Sequence, residues 1–456
     1  LIRVAARRVR VEAPLAREVW SLAWPAITHM LLLTLIFLAG RAMVGRYSST
    51  ALASLQISGT LTWSIYSLFT AFSAGALAVV ARSVGGGDRA SAARAARASV
   101  VLAFAIGLVV ALPLRIVNGP LLHALFPHAD ASVLADASDY LCIVLPALPL
   151  AFVEAIAAAS LQGAGDTRTP LYVAVAGNVI NVVASFVLIF GRFGAPEMGV
   201  RGAAIGNAAT MIIEGVLLVA ALLTRGSPLP IGTVPFDRKT DGDALRRVLR
   251  ISVPAFAEKG VYHAGYLGFV AIIGLLGAAA MAANQALFAV EAVCYLSADG
   301  FGIAAGAVVA QKLGARSEAE AARAGWLAAG MATALMTIFG LLFCTSPRLL
   351  IAGFSNDPNI IALGAQALVV AGIAQPFMAF AIVTGMSLRG AGDTRTVFLS
   401  TVVCALIVRL SATYLFAIHL GFGLAGVWMG STADWMVRTF MLAVAYGRGR
   451  WRRAHV

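Results

Sequence analysis

The sequence predicts an all-α membrane protein of twelve transmembrane helices arranged as two parallel six-helix repeats. Three observations predict it. The chain is 60% hydrophobic and 12% charged, with a mean hydropathy of +0.88; a soluble domain carries about twice that charge. The apolar residues gather into runs that match the roughly 20 residues a helix needs to cross a bilayer. One nine-residue stretch occurs twice: Leu161-Gln-Gly-Ala-Gly-Asp-Thr-Arg-Thr169 returns as Leu388-Arg-Gly-Ala-Gly-Asp-Thr-Arg-Thr396, changed only where Arg389 replaces Gln162. The second copy begins 227 residues after the first, half of the 456 in the chain, and such self-similarity governs the reading of everything else.

Taken in order, Arg3, Arg7, Arg8 and Arg10 precede an apolar run at about 19–39, an arrangement with a superficial likeness to a signal peptide. The run exceeds the usual apolar core of such a peptide, about 7–15 residues. Its Pro25 also has a counterpart, Pro254, in the second half, so the segment belongs to the fold. Spans are expected at about 19–42, 51–80, 99–117, 137–161, 171–190 and 200–223, then at 250–275, 281–309, 324–345, 361–387, 397–418 and 424–446. Ala81-Arg-Ser-Val-Gly85 answers Ala310-Gln-Lys-Leu-Gly314 as a further repeat pair. Residues 1–223 would form an N-lobe, 224–249 a polar cytoplasmic loop, and 250–456 a C-lobe with a basic tail. Six is an even number, so both halves enter from the same side and the repeats are parallel.

Charge fixes the expected orientation. Basic residues collect in the N-terminal arm, Arg82 to Arg97, Arg168, the central loop, Lys312 to Arg323, Arg389, Arg395 and Arg448 to Arg453. The opposite side has little beyond Arg46, Arg115, Arg192 and Arg348. The positive-inside rule then places both termini and both repeated loops in the cytoplasm. The same distribution explains the net charge of +13 without a nucleic-acid partner. Cys142, Cys294, Cys344 and Cys404 all fall in apolar segments without metal-like spacing, so neither a disulfide nor a metal site is expected. The histidines, among them His128 and His455, are scattered.

The repeated loop reads as a turn. Gly163, Gly165, Gly390 and Gly392 permit backbone angles that other residues avoid. Asp166 and Arg168, with their mates Asp393 and Arg395, could pair within or between loops, and Thr169-Pro170 looks like a helix cap followed by proline in the first turn. A gate that breaks and remakes such contacts is the functional alternative. The structural reading is favoured, because Gly, Pro and Asp clusters ordinarily mark turns. No Gly-Lys-Ser/Thr follows to make a phosphate loop.

Charges inside spans are more informative, since each costs about 3 kcal/mol at a helix centre and a functional role is the default hypothesis. They are Glu154, Glu214, Glu258, Lys259, His263, Glu291, Asp299, Arg409, Asp434 and Arg438. Glu258 follows Pro254 by one turn, with Tyr262 a further turn along the same face, and is the first candidate for a proton- or cation-binding carboxylate. Its structural alternative is an ion pair with Lys259 or with a basic group on another helix. Glu291, two turns beyond Asn284 and Gln285, is the second candidate, and Glu154, whose repeat mate is Ala381, the third. Asn178 and Asn181 share a helix face; cation binding and hydrogen bonding between helices are both open to them. Arg409 could pair with Asp434 between helices, and Arg438 with Asp434 along one.

The motif Leu161 to Thr169 with Pro170, followed by Gly177-Asn-Val-Ile-Asn181 and Leu188-Ile-Phe-Gly191, resembles the multidrug and toxic compound extrusion (MATE) family. So do Met43-Val-Gly-Arg46 with Ala51-Leu-Ala53, Gly85-Gly-Gly-Asp-Arg89, Ala282-Ala-Asn-Gln285, Gly302-Ile-Ala-Ala305, and Gly426-Val-Trp428 with Asp434. The resemblance implies two six-helix lobes around a central cleft. It also implies export of amphipathic, often cationic compounds in exchange for H+ or Na+, with Asn181 in an N-lobe cation site. Two departures stand against that site. Gly40-Arg41 and Ser185 occupy positions where many members carry aspartates.

The expected function is therefore a secondary active exporter, not an enzyme, with no cofactor beyond the coupling ion H+ or Na+. Glu258, Glu291, Glu154, Asn181, Asn178, Tyr262 and Gln285 would line the coupling-ion and substrate cleft. The chain is expected to be a monomer in a bacterial inner membrane, with the bilayer and small amphipathic substrates as its partners. A flippase for lipid-linked precursors is the nearest alternative. A membrane-embedded transferase would need acidic or histidine clusters that the loops lack.

Overall fold

Long apolar runs without water to satisfy their backbone groups have one economical solution, the helix, and among the described residues the chain is helical with no strand. The computed structural model describes residues 2–127 and 129–454, apart from the side chains of residues 2–12, 37, 38 and 49. Arg3, Arg7, Arg8 and Arg10 are thus outside the described side chains, and His128 and His455 outside the described residues. Twelve long helices follow one another: α1 (Ile2–Tyr47), α2 (Thr50–Gly85), α3 (Arg89–Leu125), α4 (Ala131–Gly163), α5 (Arg168–Phe190) and α6 (Val200–Leu223) in the first half. The second half holds α7 (Arg238–Gly274), α8 (Ala278–Gly314), α9 (Glu318–Thr345), α10 (Pro358–Gly390), α11 (Thr394–His419) and α12 (Gly423–Arg448). These are the twelve expected spans, in two parallel repeats of six.

Ten of them are long and apolar enough to cross a membrane by length and composition. The other two, α7 and α12, carry Glu258, Lys259 and His263, and Asp434 and Arg438, which lower their apolar character. The helices are not uniform. Short 3-10 turns interrupt α2 at Thr70–Phe72 and α4 at Leu145–Ala147, where Pro146 removes a backbone donor. In α11 two π-helical stretches, Val402–Val408 and Leu415–His419, flank Arg409; such widened turns recur at functional sites.

The chain divides into two compact units. One contains residues 29–80 and 88–249, with α4 as its most enclosed helix and a core of Leu141, Leu148, Phe152 and Ile156. The other contains residues 1–28, 81–87 and 250–456, built around α8 and α10. Within this second unit, Gly300 of α8 presses against the backbone of Ile27, and Trp20 packs on Phe301 with ring centroids 5.9 Å apart. Val19, Ala23, Phe301 and Leu388 share its core. The four cysteines are free thiols.

The segment 224–249, expected as a loop, is helical from Arg238 where α7 begins, and it is tied to α3 through Arg97 and through Arg247, which donates to the Ser91 hydroxyl at 3.0 Å. Arg97 makes a bidentate contact with Asp241 (Nη2–Oδ1 2.7 Å, Nη2–Oδ2 2.9 Å) and also donates to the Val234 carbonyl at 2.6 Å. At the start of α7, Thr240 donates to Asp237 and holds that carboxyl below its ordinary range.

Candidate functional site

The two copies of the repeated loop have one geometry. Gly165 and Gly392 both adopt left-handed backbone, with φ of 91° and 93°, which a side chain would strain. The cap differs from the one read in the sequence. Asp166, not Thr169, closes the start of α5: its Oδ1 accepts the Arg168 and Thr169 N–H groups at 3.1 and 2.9 Å, and its Oδ2 accepts the Thr169 hydroxyl at 2.6 Å. Asp393 does the same for Thr396 at 3.2 and 2.8 Å. The helix begins two residues earlier than the Thr-Pro pair suggests, at Arg168, and aspartate reaches the free N–H groups of that first turn. Gly390 lies against the backbone of Gly306, where any side chain would collide.

Glu258, buried in α7, has a partner that adjacency does not reveal. Arg389, the single residue that distinguishes the two repeated loops, grips it with Nη2–Oε1 at 2.5 Å and Nε–Oε2 at 3.1 Å. Thr401 of α11 donates to the same Oε1 at 2.9 Å and accepts from Arg438 at 3.1 Å. Arg438 in turn donates to Asp434 Oδ1, one helical turn away, at 2.9 and 3.1 Å. Arg409 pairs with Asp434 Oδ2 at 2.6 Å and lies over the rings of Tyr262, Phe269 and Trp435. Both expected pairings of Asp434 are present.

Three guanidinium groups thus face two carboxylates. Glu291 of α8 places a third carboxyl group within electrostatic reach of Arg409, and the Gln375 amide lies 3.5 Å from it. The candidates divide accordingly. Glu258, Tyr262 and Glu291 belong to one connected charge network through Arg409 and Arg438, although Glu258 and Glu291 do not touch directly. Gln285 is exposed, while its neighbour Asn284 is buried and accepts from the Trp428 indole at 3.2 Å.

The unit formed by residues 29–80 and 88–249 holds the remaining candidates. Asn181 donates to Asn207 at 2.8 Å and Thr210 at 3.2 Å, and Asn207 donates to the Tyr140 hydroxyl at 2.7 Å. This is helix-to-helix hydrogen bonding of the expected kind. Asn178 donates to the Ala174 carbonyl at 2.7 Å, and its own oxygen has no partner. Ser185 is buried with its hydroxyl where a side chain on Gly206 would begin, so α5 and α6 leave no room for a longer acid. Glu154 accepts from Tyr66 at 3.1 Å and faces His29 Nε2 at 3.9 Å. Glu214 of α6 is buried with an unpartnered Oε1 and lies against Gly177.

Neither Arg389 nor Glu214 is among the cleft residues expected from the sequence. A signal for the first existed: His29 and Gln162 in one half stand where Glu258 and Arg389 stand in the other, so both departures from the repeat compensate each other. Glu214 was visible only as one charge among ten. Its relation to Glu154 depends on helix packing across 60 residues of chain.

The MatE family model matches residues 25–187 and 254–415, one segment in each half. A probable multidrug resistance protein NorM of Thermotoga maritima is 28% identical over 444 residues, covering 96% of this chain and 94% of that one. A protein of the same name from Pseudomonas putida is 30% identical over 423 residues, covering 90% and 89%. An outward-facing MATE family transporter of the MOP superfamily superposes with a TM-score of 0.86 at 18% identity, over 96% of each chain. The eukaryotic MATE transporter AtDTX14 does so with 0.85 at 16%, over 97% of each.

Proposed function

Because the chain belongs to the MatE family, we propose that it is a secondary active exporter of amphipathic, cationic small molecules, driven by exchange for H+ or Na+. One observation carries the reading beyond family membership: both units bury carboxylates in long helices, Glu154 and Glu214 in one, Glu258, Glu291 and Asp434 in the other. Such groups are costly in a bilayer and are retained where an ion or proton must be held. The protein would work as a monomer in a bacterial inner membrane with both termini cytoplasmic, needing no cofactor besides the coupling ion.

The charge network constrains how Glu258 could serve. A coupling ion there must displace Arg389 from a bidentate contact, so occupancy would be tied to movement of α10 and of the repeated loop that follows it. Binding biases a conformational equilibrium only through different affinity for the two states, and a guanidinium that must leave provides such a difference. A flippase would need free cationic groups for phosphate. Arg409 is already engaged by Asp434, which favours the exporter.

The test is ethidium efflux from proteoliposomes under separately imposed Na+ and proton gradients. At least one gradient should drive efflux, and Glu258→Gln should reduce it. If neither gradient moves ethidium or a second cationic dye, the exporter reading is wrong.

A further inference from the structure

We propose that Glu154 and Glu214, with His29 and Tyr66 around them, form one buried proton-binding site whose occupancy couples the ion gradient to export; the coupling role rests on the exporter reading above. Four helices of a single unit converge on it: His29 from α1, Tyr66 from α2, Glu154 from α4 and Glu214 from α6. Gly215 brings α6 against the backbone of Leu150, one turn before Glu154. Gly177 on α5 opens the space that the Glu214 carboxylate fills, since a side chain at residue 177 would overlap it. The two carboxylates are close enough to act on each other electrostatically, and Tyr66 feels both.

The site lacks what the other unit has. Among the described residues, neither carboxylate forms an ion pair with Lys or Arg; the basic group facing Glu154 is His29. The groups turned toward the pair are His29 and Tyr66, both facing Glu154, while α5 meets Glu214 through Gly177. From α3, which meets α4 through Gly107 and Pro149, comes only an apolar contact. Two ionised carboxylates without a fixed cation are costly in so dry a place, and one shared proton removes the repulsion.

Two buried polar atoms of these residues have no partner: Glu214 Oε1 and His29 Nδ1. Their residues are 7% and 3% exposed. A proton on Glu214 turns an acceptor into a donor. A hard cation fits less well, because imidazole is a poor ligand for it. Among the described residues no group of three or more His, Cys, Asp and Glu could hold a metal ion.

The purified protein should show an infrared carbonyl band from a protonated carboxyl that Glu214→Gln and Glu154→Gln each diminish. The double variant should remove no more than either single one, because one proton is shared. In proteoliposomes each single variant should lower proton-driven ethidium efflux about 10-fold or more, within the range typical of linkage between sites. Glu214→Asp, which keeps a titratable group, should retain the band and so controls for folding. An unchanged band in both Gln variants would overturn the site, as would wild-type efflux from the double variant. Efflux driven by Na+ alone and abolished by Glu214→Gln would overturn the identity of the ion. Should the wild type move no dye while the band behaves as stated, the proton site stands and the exporter reading falls.

Discussion

At the scale of single residues, the informative positions are those where two copies of one motif disagree. Gln162 and Arg389 are the only mismatch in nine residues, and the equivalent positions His29 and Glu258 mismatch as well. Arg389 and Glu258 meet in the structure as a bidentate pair, with side chains 21% and 9% exposed. Removing one member of such a buried pair leaves the other charge uncompensated, at a cost of about 3–5 kcal/mol, whereas replacing both together can be nearly neutral. Arg389→Gln alone should therefore destabilise strongly, and Glu258→His with Arg389→Gln, which restores the pattern of the first half, should recover most of the loss. Unfolding of the four proteins in one detergent gives the cycle directly. Additive losses would mean that the pair is not coupled, and the reading of the mismatch would fail.

At the scale of elements, the repeated loop is a device for starting helices. Each copy places glycine in the left-handed region and aspartate beneath the first turn of the next span. Asp166→Ala and Asp393→Ala should each cost about 1 kcal/mol, the usual worth of a cap, while Asn at either position should retain most of it. Equal stability of the Ala and Asn variants in thermal unfolding would refute the capping role. The turn itself was legible from Gly163, Gly165 and Asp166, because glycine and aspartate act locally. The capping residue was misread because Thr169-Pro170 satisfies the same local preference, and only the helix start at Arg168 separates them. The twelve spans were legible for a comparable reason, since apolar length is a property of contiguous sequence. Arg389 with Glu258, 131 residues apart, and Arg97 with Asp241, 144 apart, were not, because tertiary packing alone chooses which cation reaches which carboxylate.

At the scale of the whole molecule, the repeat meets itself. Residues 81–87, the end of α2 and the turn after it, belong to the unit built mainly from the second half, and there Gly85 lies against the backbone of Gln311 while Gly314 lies against Arg82. Gly85 and Gly314 are repeat mates, so the contact is reciprocal, and neither position has room for a Cβ. Arg82 adds hydrogen bonds to the carbonyls of Ala454, at 3.0 Å, and of Ala391 in the second repeated loop, at 3.4 Å. The pairing of Ala81 to Gly85 with Ala310 to Gly314 was visible in the sequence; that the two segments touch was not, since similarity carries no information about proximity. A transporter that alternates between states needs contacts poised to open, and backbone held against backbone at two glycines is easily wedged. Gly85→Ala should cost about 1–3 kcal/mol through overpacking, and each 1.4 kcal/mol is about tenfold in the population of the opened state. With the four native cysteines replaced, Ala310→Cys, fully buried beside the contact, should react with a maleimide about tenfold faster when Gly85→Ala is added. Gly86→Ala, which meets its neighbours no closer than 3.4 Å, should leave that rate unchanged. A labelling rate indifferent to Gly85→Ala would show that the crossing does not govern access to this end of the protein.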